Sequence, residues 1–377
     1  MESPKTVTIA IGSNLGERLQ FMNKAIIRIH EEIGWIRAMS KVYETPAWGF
    51  EGNSFLNACI LVSTRLEAVE VLSILLKIEN ELGRQRSSKD YQNRTIDLDM
   101  LLFEQEIIDT AALKIPHPGI AKRNFVLKPL NDIAASEKHP VLEKKIGELL
   151  KETSDTSEIS VFKQSLEKPV TNYNFPTCNY IAVEGNIGAG KTSFSTMISE
   201  DFNAKLILER FKDNPFLPKF YEDKDRYAFS LEMSFMADRY QQLSDDLAQY
   251  DLFKDFIISD YDVFKSLIFA QITLQQEEYA LYHKLFHLMY KELVKPELYI
   301  YLYQNTERLL ENIKKRGRDY EQNIQPEYLI NINNSYLNFI KTQKNMKVKI
   351  IDISGMDFVQ NRTDYLKLLQ EIDSVVM

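Results

Sequence analysis

Residues Gly185-Asn186-Ile187-Gly188-Ala189-Gly190-Lys191-Thr192 decide the fold of the larger part of this chain, because they match G-x-x-x-x-G-K-[ST]. At average composition a chance match in a chain this long has odds of about one in a hundred. The motif needs a strand before it and a helix after it. Tyr180-Ile181-Ala182-Val183-Glu184 reads as a short apolar strand, and the residues from Lys191 onward read as a helix. Such a loop cradles phosphates on backbone N–H groups at a helix N-terminus. Gly185, Asn186, Gly188 and Gly190 would form the cradle, Lys191 would reach the β- and γ-phosphates of ATP, and Thr192 would bind Mg²⁺. Further strands fit 257–260, 298–303 and 348–353, among long helical patterns over 227–250, 263–292, 306–316 and 327–343. The expected fold is a P-loop α/β doubly wound parallel sheet with a helical flank.

With 377 residues the chain is long enough for two or three domains. A hydrophobic fraction of 44% and a charged fraction of 27% exclude global disorder. The polar run Glu152-Thr153-Ser154-Asp155-Thr156-Ser157-Glu158, followed by Pro169 and Pro176, marks a linker over 152–176 with a short ordered piece at 159–162. Domains over 1–151 and 177–377 remain. Residues 1–151 carry 20 Lys and Arg against 20 Asp and Glu, so the second part holds the whole net charge of -8. Neither part has the basic excess of a nucleic-acid binder, and phosphate chemistry must use local cations. No uncharged apolar run approaches the ~20 residues that span a bilayer, so no membrane partner is expected. The N-terminus lacks a signal peptide's apolar stretch, and Cys59 and Cys178 make no disulfide framework. These features read as a cytoplasmic protein acting on small molecules.

The first part mixes strands at 7–11, 57–64 and 95–103 with amphipathic helices at 19–33 and 66–82, an α+β sandwich pattern. In Thr95-Ile96-Asp97-Leu98-Asp99-Met100 the period is two, so Asp97 and Asp99 project together while Ile96, Leu98 and Met100 face the core. Adjacent carboxylates repel unless a cation sits between them. Mg²⁺ carrying ATP phosphates resolves that repulsion; a solvated strand face is the plainer reading. Gly83-Arg84-Gln85-Arg86, Arg94, His117 and Arg123 nearby favour the metal reading, because arginine forks match phosphate oxygens.

Residues 5–151 resemble 6-hydroxymethyl-7,8-dihydropterin pyrophosphokinase. The resemblance rests on Ile11-Gly12-Ser13-Asn14-Leu15, Tyr43-Glu44-Thr45-Pro46, Phe55-Leu56-Asn57-Ala58, Gly83-Arg84, Arg94-Thr95-Ile96-Asp97-Leu98-Asp99 and Pro116-His117. It implies a ferredoxin-like α+β fold and transfer of pyrophosphate from ATP to the pterin hydroxymethyl group, releasing AMP. Asp97 and Asp99 would bind two Mg²⁺ ions. Arg84 and Arg94 would act on a loop closing over ATP, Arg86 and Arg123 would contact it, and His117 would meet the phosphates. Thr45, Pro46 and Asn57 would line the pterin pocket, with Phe55 and Phe125 sandwiching the ring and Trp48 either on a pterin loop or in ordinary packing. Tyr91 stands where the family often has Trp, and Ala112 where it often has an arginine.

Residues 179–375 resemble the deoxynucleoside kinase family. Glu209, in Leu206-Ile207-Leu208-Glu209-Arg210, sits at a strand end where that family keeps its general base. Asp213-Asn214-Pro215-Phe216-Leu217 and the stretch from Tyr221 to Phe229 resemble the nucleoside pocket. Lys314-Lys315-Arg316-Gly317-Arg318 resembles the lid that closes on ATP, which assigns Arg316 and Arg318 to catalysis. In the aligned Ser259-Asp260-Tyr261-Asp262, Asp260 keeps the family's acid but Tyr261 replaces its arginine. Glu232 stands where the family has a glutamine facing the base. An ionised Glu232 could accept both N1–H and the N2 amino group of guanine, whereas adenine would present an acceptor to it. The plainer reading pairs Glu232 with Arg239.

Together these features describe a bifunctional pyrophosphokinase and deoxynucleoside kinase using ATP and Mg²⁺. Phe264, Leu267, Ile268 and Ile272 form an apolar stripe that reads as core packing or as a dimer interface, and the resemblance further implies a homodimer through the kinase helices. A non-catalytic nucleotide-binding or dimerisation module, or a nucleoside monophosphate kinase, stays open for the second part. His283 and His287 lie four apart on one helix face without a third ligand nearby, so a surface or interface pair is preferred to a metal site.

Overall fold

The computed structural model describes residues 3–84, 92–169, 173–210, 214–249, 253–291, 293–318, 321–343 and 346–376. The chain folds as two compact units, 1–171 and 172–377. None of the described helices is long and apolar enough to cross a membrane.

The first unit is built on an antiparallel sheet. In β1 (Lys5–Ser13), Val7, Ile9 and Ile11 alternate onto one face and are buried. Helix α1 (Arg18–Glu32) lays Met22, Ala25, Ile26 and Ile29 against that face. The chain returns through β2 (Gly34–Met39), β3 (Tyr43–Thr45) and β4 (Phe55–Thr64), and β4 pairs with all three earlier strands. Helix α2 (Ala68–Glu81) packs beside α1, and β5 (Asp97–Phe103) pairs with the far side of β1. A hairpin of β6 (Ile108–Asp109) and β7 (Lys114–Ile115) leads to α3 (Asn124–Ala134) and α4 (Ile146–Glu152). These two helices form a second core with Cys59 and Leu101, which lie on the opposite parity of β4 and β5.

The linker expected over 152–176 needs correcting at both ends. Asp155 accepts the Asn124 N–H at 2.7 Å, and β8 (Ser160–Val161) adds to the free edge of β3. Leu166 is buried in the first core, and the Glu167 N–H donates to Asn23. On the far side Phe175 is fully buried, and its N–H donates to Asp373 at 3.0 Å. The stretch reads as a tether because it is polar. A few apolar side chains, finding cavities of their own, are enough to hold it down.

The second unit starts with β9 (Tyr180–Gly185), α5 (Lys191–Asp201) and β10 (Lys205–Ile207). Helices α6 (Leu217–Glu222) and α7 (Lys224–Ala248) precede β11 (Ile257–Ser259). Helices α8 (Phe264–Thr273) and α9 (Gln276–Tyr290) lead to β12 (Leu298–Tyr303). Helices α10 (Thr306–Arg316) and α11 (Pro326–Thr342), strand β13 (Lys347–Asp352) and α12 (Arg362–Asp373) complete it. The sheet is parallel, in the order β10-β11-β9-β12-β13. Strand order reverses around β9, so a crevice opens beyond its C-terminal end, where the phosphate loop lies. The single helical pattern read over 263–292 is two helices. Leu274 leaves the helix with φ -96° and ψ 150°, and Glu278 accepts the Gln275 N–H at 3.2 Å to start the next one.

Candidate active sites

In the second unit the loop after β9 depends on glycine. Gly190 has φ +79°, and a Cβ there would lie 2.8 Å from the Phe358 ring. Lys191 Nζ donates to the Gly185 and Asn186 carbonyls, each at 3.0 Å. Burial, with the nearby charge of Lys265, lowers its pKa to about 8. The Asn186 side chain turns away from the loop, donating to the Leu329 carbonyl at 2.8 Å and to Asn333 at 2.9 Å.

Asp260, just past β11, ties the two sides of the crevice together. It accepts from the Thr192 hydroxyl at 2.5 Å and from the Glu209 N–H at 2.7 Å. Glu209, two residues beyond β10, is held by Arg239 at 2.8 Å and by Lys265 at 2.6 Å. Burial alone would raise its pKa, but the two cations hold it down at about 2. Arg239 therefore pairs with Glu209, and the pairing of Glu232 with Arg239 read from sequence gives way. The Glu232 Oε1 meets the Thr273 hydroxyl at 2.9 Å, while its buried Oε2 has no partner among the described residues. Burial outweighs the attraction of Arg239 and pushes its pKa up to about 7.

One cavity brings together Gly188, Lys191, Thr192, Glu209, Tyr221, Glu232, Arg239, Asp260, Arg316 and Arg318. A second, lined by Gly188, Gly190, Lys191, Thr192, Arg316 and Arg318, extends along the other side of the loop. Arg316 and Arg318 both contact Glu321. The Tyr261 side chain is fully buried in an apolar cluster and lines neither cavity. His283 and His287 face each other at 3.1 Å on the exposed side of α9.

In the first unit Thr45, Pro46, Trp48, Phe55, Asn57, Arg84, Arg94, Asp97, Asp99, His117, Arg123 and Phe125 all line one cavity. Arg86 and Tyr91 lie outside the described residues. The pleat of β5 turns Asp97 and Asp99 outward and buries Leu98 and Met100. Arg84 and Arg94 reach Asp97 at 2.6 and 2.8 Å. Burial, with the charges of Asp97 and Glu79, pushes the Asp99 carboxyl well above its usual range. Asn57 donates to the Thr45 hydroxyl at 2.8 Å, and Arg123 stacks 4.9 Å from the Trp48 ring. Burial, reinforced by Arg123, lowers the His117 pKa.

Sequence reasoning missed several residues at these sites. Phe50 lines the first-unit cavity, and the buried Glu79 anchors Arg84 while accepting the Leu98 N–H at 2.8 Å. Lys265 carried a signal: it is the one charged residue of α8. Nothing local marks Thr273 or Tyr328.

The profile of the 7,8-dihydro-6-hydroxymethylpterin-pyrophosphokinase family matches residues 8–135, and that of the deoxynucleoside kinase family matches 181–377. A pyrophosphokinase of the first kind from Aquifex aeolicus is 40% identical over 150 residues, 40% of this chain and 92% of the relative. A deoxyguanosine kinase from Bacillus subtilis is 36% identical over 205 residues, 53% of this chain and 99% of the relative. The chain belongs to both families. Among solved structures, a deoxyadenosine kinase from M. mycoides is 25% identical, covers 52% of this chain and 99% of its own, and has a TM-score of 0.45. The chain is a bifunctional transferase, with a pyrophosphokinase unit and a deoxynucleoside kinase unit that both use ATP.

Proposed function

We propose that the kinase unit phosphorylates the 5′-hydroxyl of deoxyguanosine in preference to deoxyadenosine. The observation that carries this reading is the buried Glu232 Oε2, without a partner among the described residues, in the same cavity as Glu209. Glu209 accepts the hydroxyl proton, Lys191 and the lid arginines Arg316 and Arg318 draw off charge from the phosphates, and Asp260 holds the loop and the base in register. The named activity of the Bacillus subtilis relative supports the same base.

The pyrophosphokinase unit acts on 6-hydroxymethyl-7,8-dihydropterin. The hydroxymethyl oxygen loses its proton and bonds to the β-phosphorus, the bond from that phosphorus to the α,β-bridging oxygen breaks, and AMP leaves with the electron pair. Asn57 and Thr45 offer polar partners to the pterin edge, while Phe55 and Phe125 offer aromatic faces. Arg84, Arg94, Arg123 and His117 gather around the phosphates. The all-oxygen pair Asp97 and Asp99, with its raised Asp99, fits Mg²⁺ better than a bare strand face. Thr192 fits it in the kinase unit. There Mg²⁺ would neutralise phosphate charge.

The β-α-β-β-α-β order of β1, α1, β2, β4, α2 and β5 supports a ferredoxin-like description of the first unit. Exposed Leu281 and Leu288 beside the histidine pair support dimerisation of kinase units through α9. Two free, buried cysteines fit a reducing, cytoplasmic setting.

The test is the purified chain with ATP and, separately, the dihydropterin, deoxyguanosine, deoxyadenosine and dGMP. AMP should form with the pterin, and ADP fastest with deoxyguanosine. A higher kcat/KM for deoxyadenosine would overturn the base assignment, and phosphorylation of dGMP alone would overturn the nucleoside reading.

A further inference from the structure

The first turn of α8 holds a lysine where a helix N-terminus disfavours positive charge. Around it Phe264, Leu267, Ile268 and Ala270 are buried, so neither solvent nor the helix accounts for a cation there. Lys265 is itself buried, and its Nζ reaches the Glu209 carboxylate at 2.6 Å. That carboxylate already has a partner, since Arg239 Nε and Nη2 lie 2.9 and 2.8 Å from its Oε1. Lys191 is close enough for Lys265 to depress its pKa. Three cations, Lys191, Arg239 and Lys265, line this end of the cavity with three carboxylates, Glu209, Asp260 and Glu232, and the buried Glu184 lies close enough to feel both lysines. Glu209 takes one of the three Lys265 N–H donors, which leaves others to meet an anionic ligand in the cavity.

We infer that Lys265 is a catalytic residue of the kinase unit, contacting the phosphoryl group on its acceptor side as it passes from ATP to the nucleoside. The inference rests on the nucleoside kinase reading above. The 5′-oxygen forms its bond to the γ-phosphorus while the bond from that phosphorus to the β,γ-bridging oxygen breaks. ADP keeps the electron pair, and the hydroxyl proton passes to Glu209. Lys191 binds the phosphates from the loop side, and Lys265 faces them from the side of Glu209. An ammonium has three donors, so Lys265 can keep Glu209 and still offer N–H groups to the phosphoryl oxygens. Arg239 continues to orient Glu209 throughout.

A lysine that merely held Glu209 in place would treat substrate and product alike. A lysine that touches the phosphoryl group would distinguish them, because only the product carries phosphate on the acceptor side. The experiment titrates deoxyguanosine and dGMP, with deoxyadenosine and dAMP in parallel, into the full chain and into Lys265→Met, Lys265→Gln and Lys265→Arg. Loss of a charge-assisted hydrogen bond should weaken monophosphate binding by about 10- to 100-fold in the neutral variants while nucleoside binding stays put. In turnover, kcat should fall with little change in the nucleoside KM. Lys265→Arg, which keeps the charge, should recover most of the monophosphate affinity. An unchanged ratio of monophosphate to nucleoside affinity in whichever neutral variant folds would overturn the inference. Wild-type preference for the adenine pair would overturn the base assignment alone, and Lys265 would then be read on dAMP.

Discussion

Glu232 and Thr273 have too few protons between them. The Thr273 hydroxyl lies 2.9 Å from both Glu232 Oε1 and the Phe269 carbonyl, and it can donate fully to only one. A protonated Glu232 removes the conflict by donating to the hydroxyl, which agrees with a pKa near 7. The charged and titratable groups around it are Arg239 on its own helix, Lys265 on α8, Tyr282 on α9, and Tyr221 and Tyr328 from α6 and α11. Below pH 7 the neutral acid, its proton given to Thr273, presents one uncharged acceptor to the adenine amino group, and adenine is tolerated. Above pH 7 the carboxylate only accepts, and guanine with its two donors is favoured. The ratio of kcat/KM for deoxyguanosine to that for deoxyadenosine should therefore rise as pH goes from 6 to 8, and Glu232→Gln should flatten the dependence. A ratio that falls with pH in the wild type would refute this assignment.

At the scale of elements, the stretch after α4 shows how little sequence is needed to anchor a segment. Strand β8, the buried Leu166 and a few hydrogen bonds, from Asn124 to Asp155 and from Glu167 to Asn23, fix it to the first unit. Leu166→Ala should cost about 2–5 kcal/mol, as buried leucine truncations do. Val161→Ala, at an exposed position of β8, should change stability by less than about 0.5 kcal/mol. Thermal unfolding of the two variants, followed by loss of pyrophosphokinase activity, distinguishes a packed strap from a passive tether. Equal midpoints would mean that the strap contributes nothing. Helix α8 makes the same point for chemistry. Its apolar stripe is legible from spacing, but which side Lys265 faces depends on where Glu209 arrives from β10.

For the whole molecule, the described residues lining each cavity all belong to one unit. Asp97→Ala removes a carboxylate from the first cavity and should abolish AMP formation with the pterin while leaving nucleoside phosphorylation intact. Lys191→Ala should lower the nucleoside kinase rate by about 10²–10³-fold or more and leave AMP formation unchanged. Assaying both reactions in both variants checks the pair. Loss of both activities in a folded single variant would show that the sites are not independent.

The sequence by itself determined the two families, the phosphate loop and the outward pair Asp97 and Asp99, because each depends on local order: a turn needing glycine, or a strand of period two. The resemblance to the kinase family marked Glu209 at its strand end. Only the tertiary structure decided the partners. Glu209 takes Arg239 and Lys265 from two different helices, Arg84 is anchored by Glu79, and Glu232 is left facing the cavity with one oxygen open. These are contacts between residues far apart in the chain, and their pairing follows from how the strands are ordered and the helices packed, which no short stretch of residues encodes.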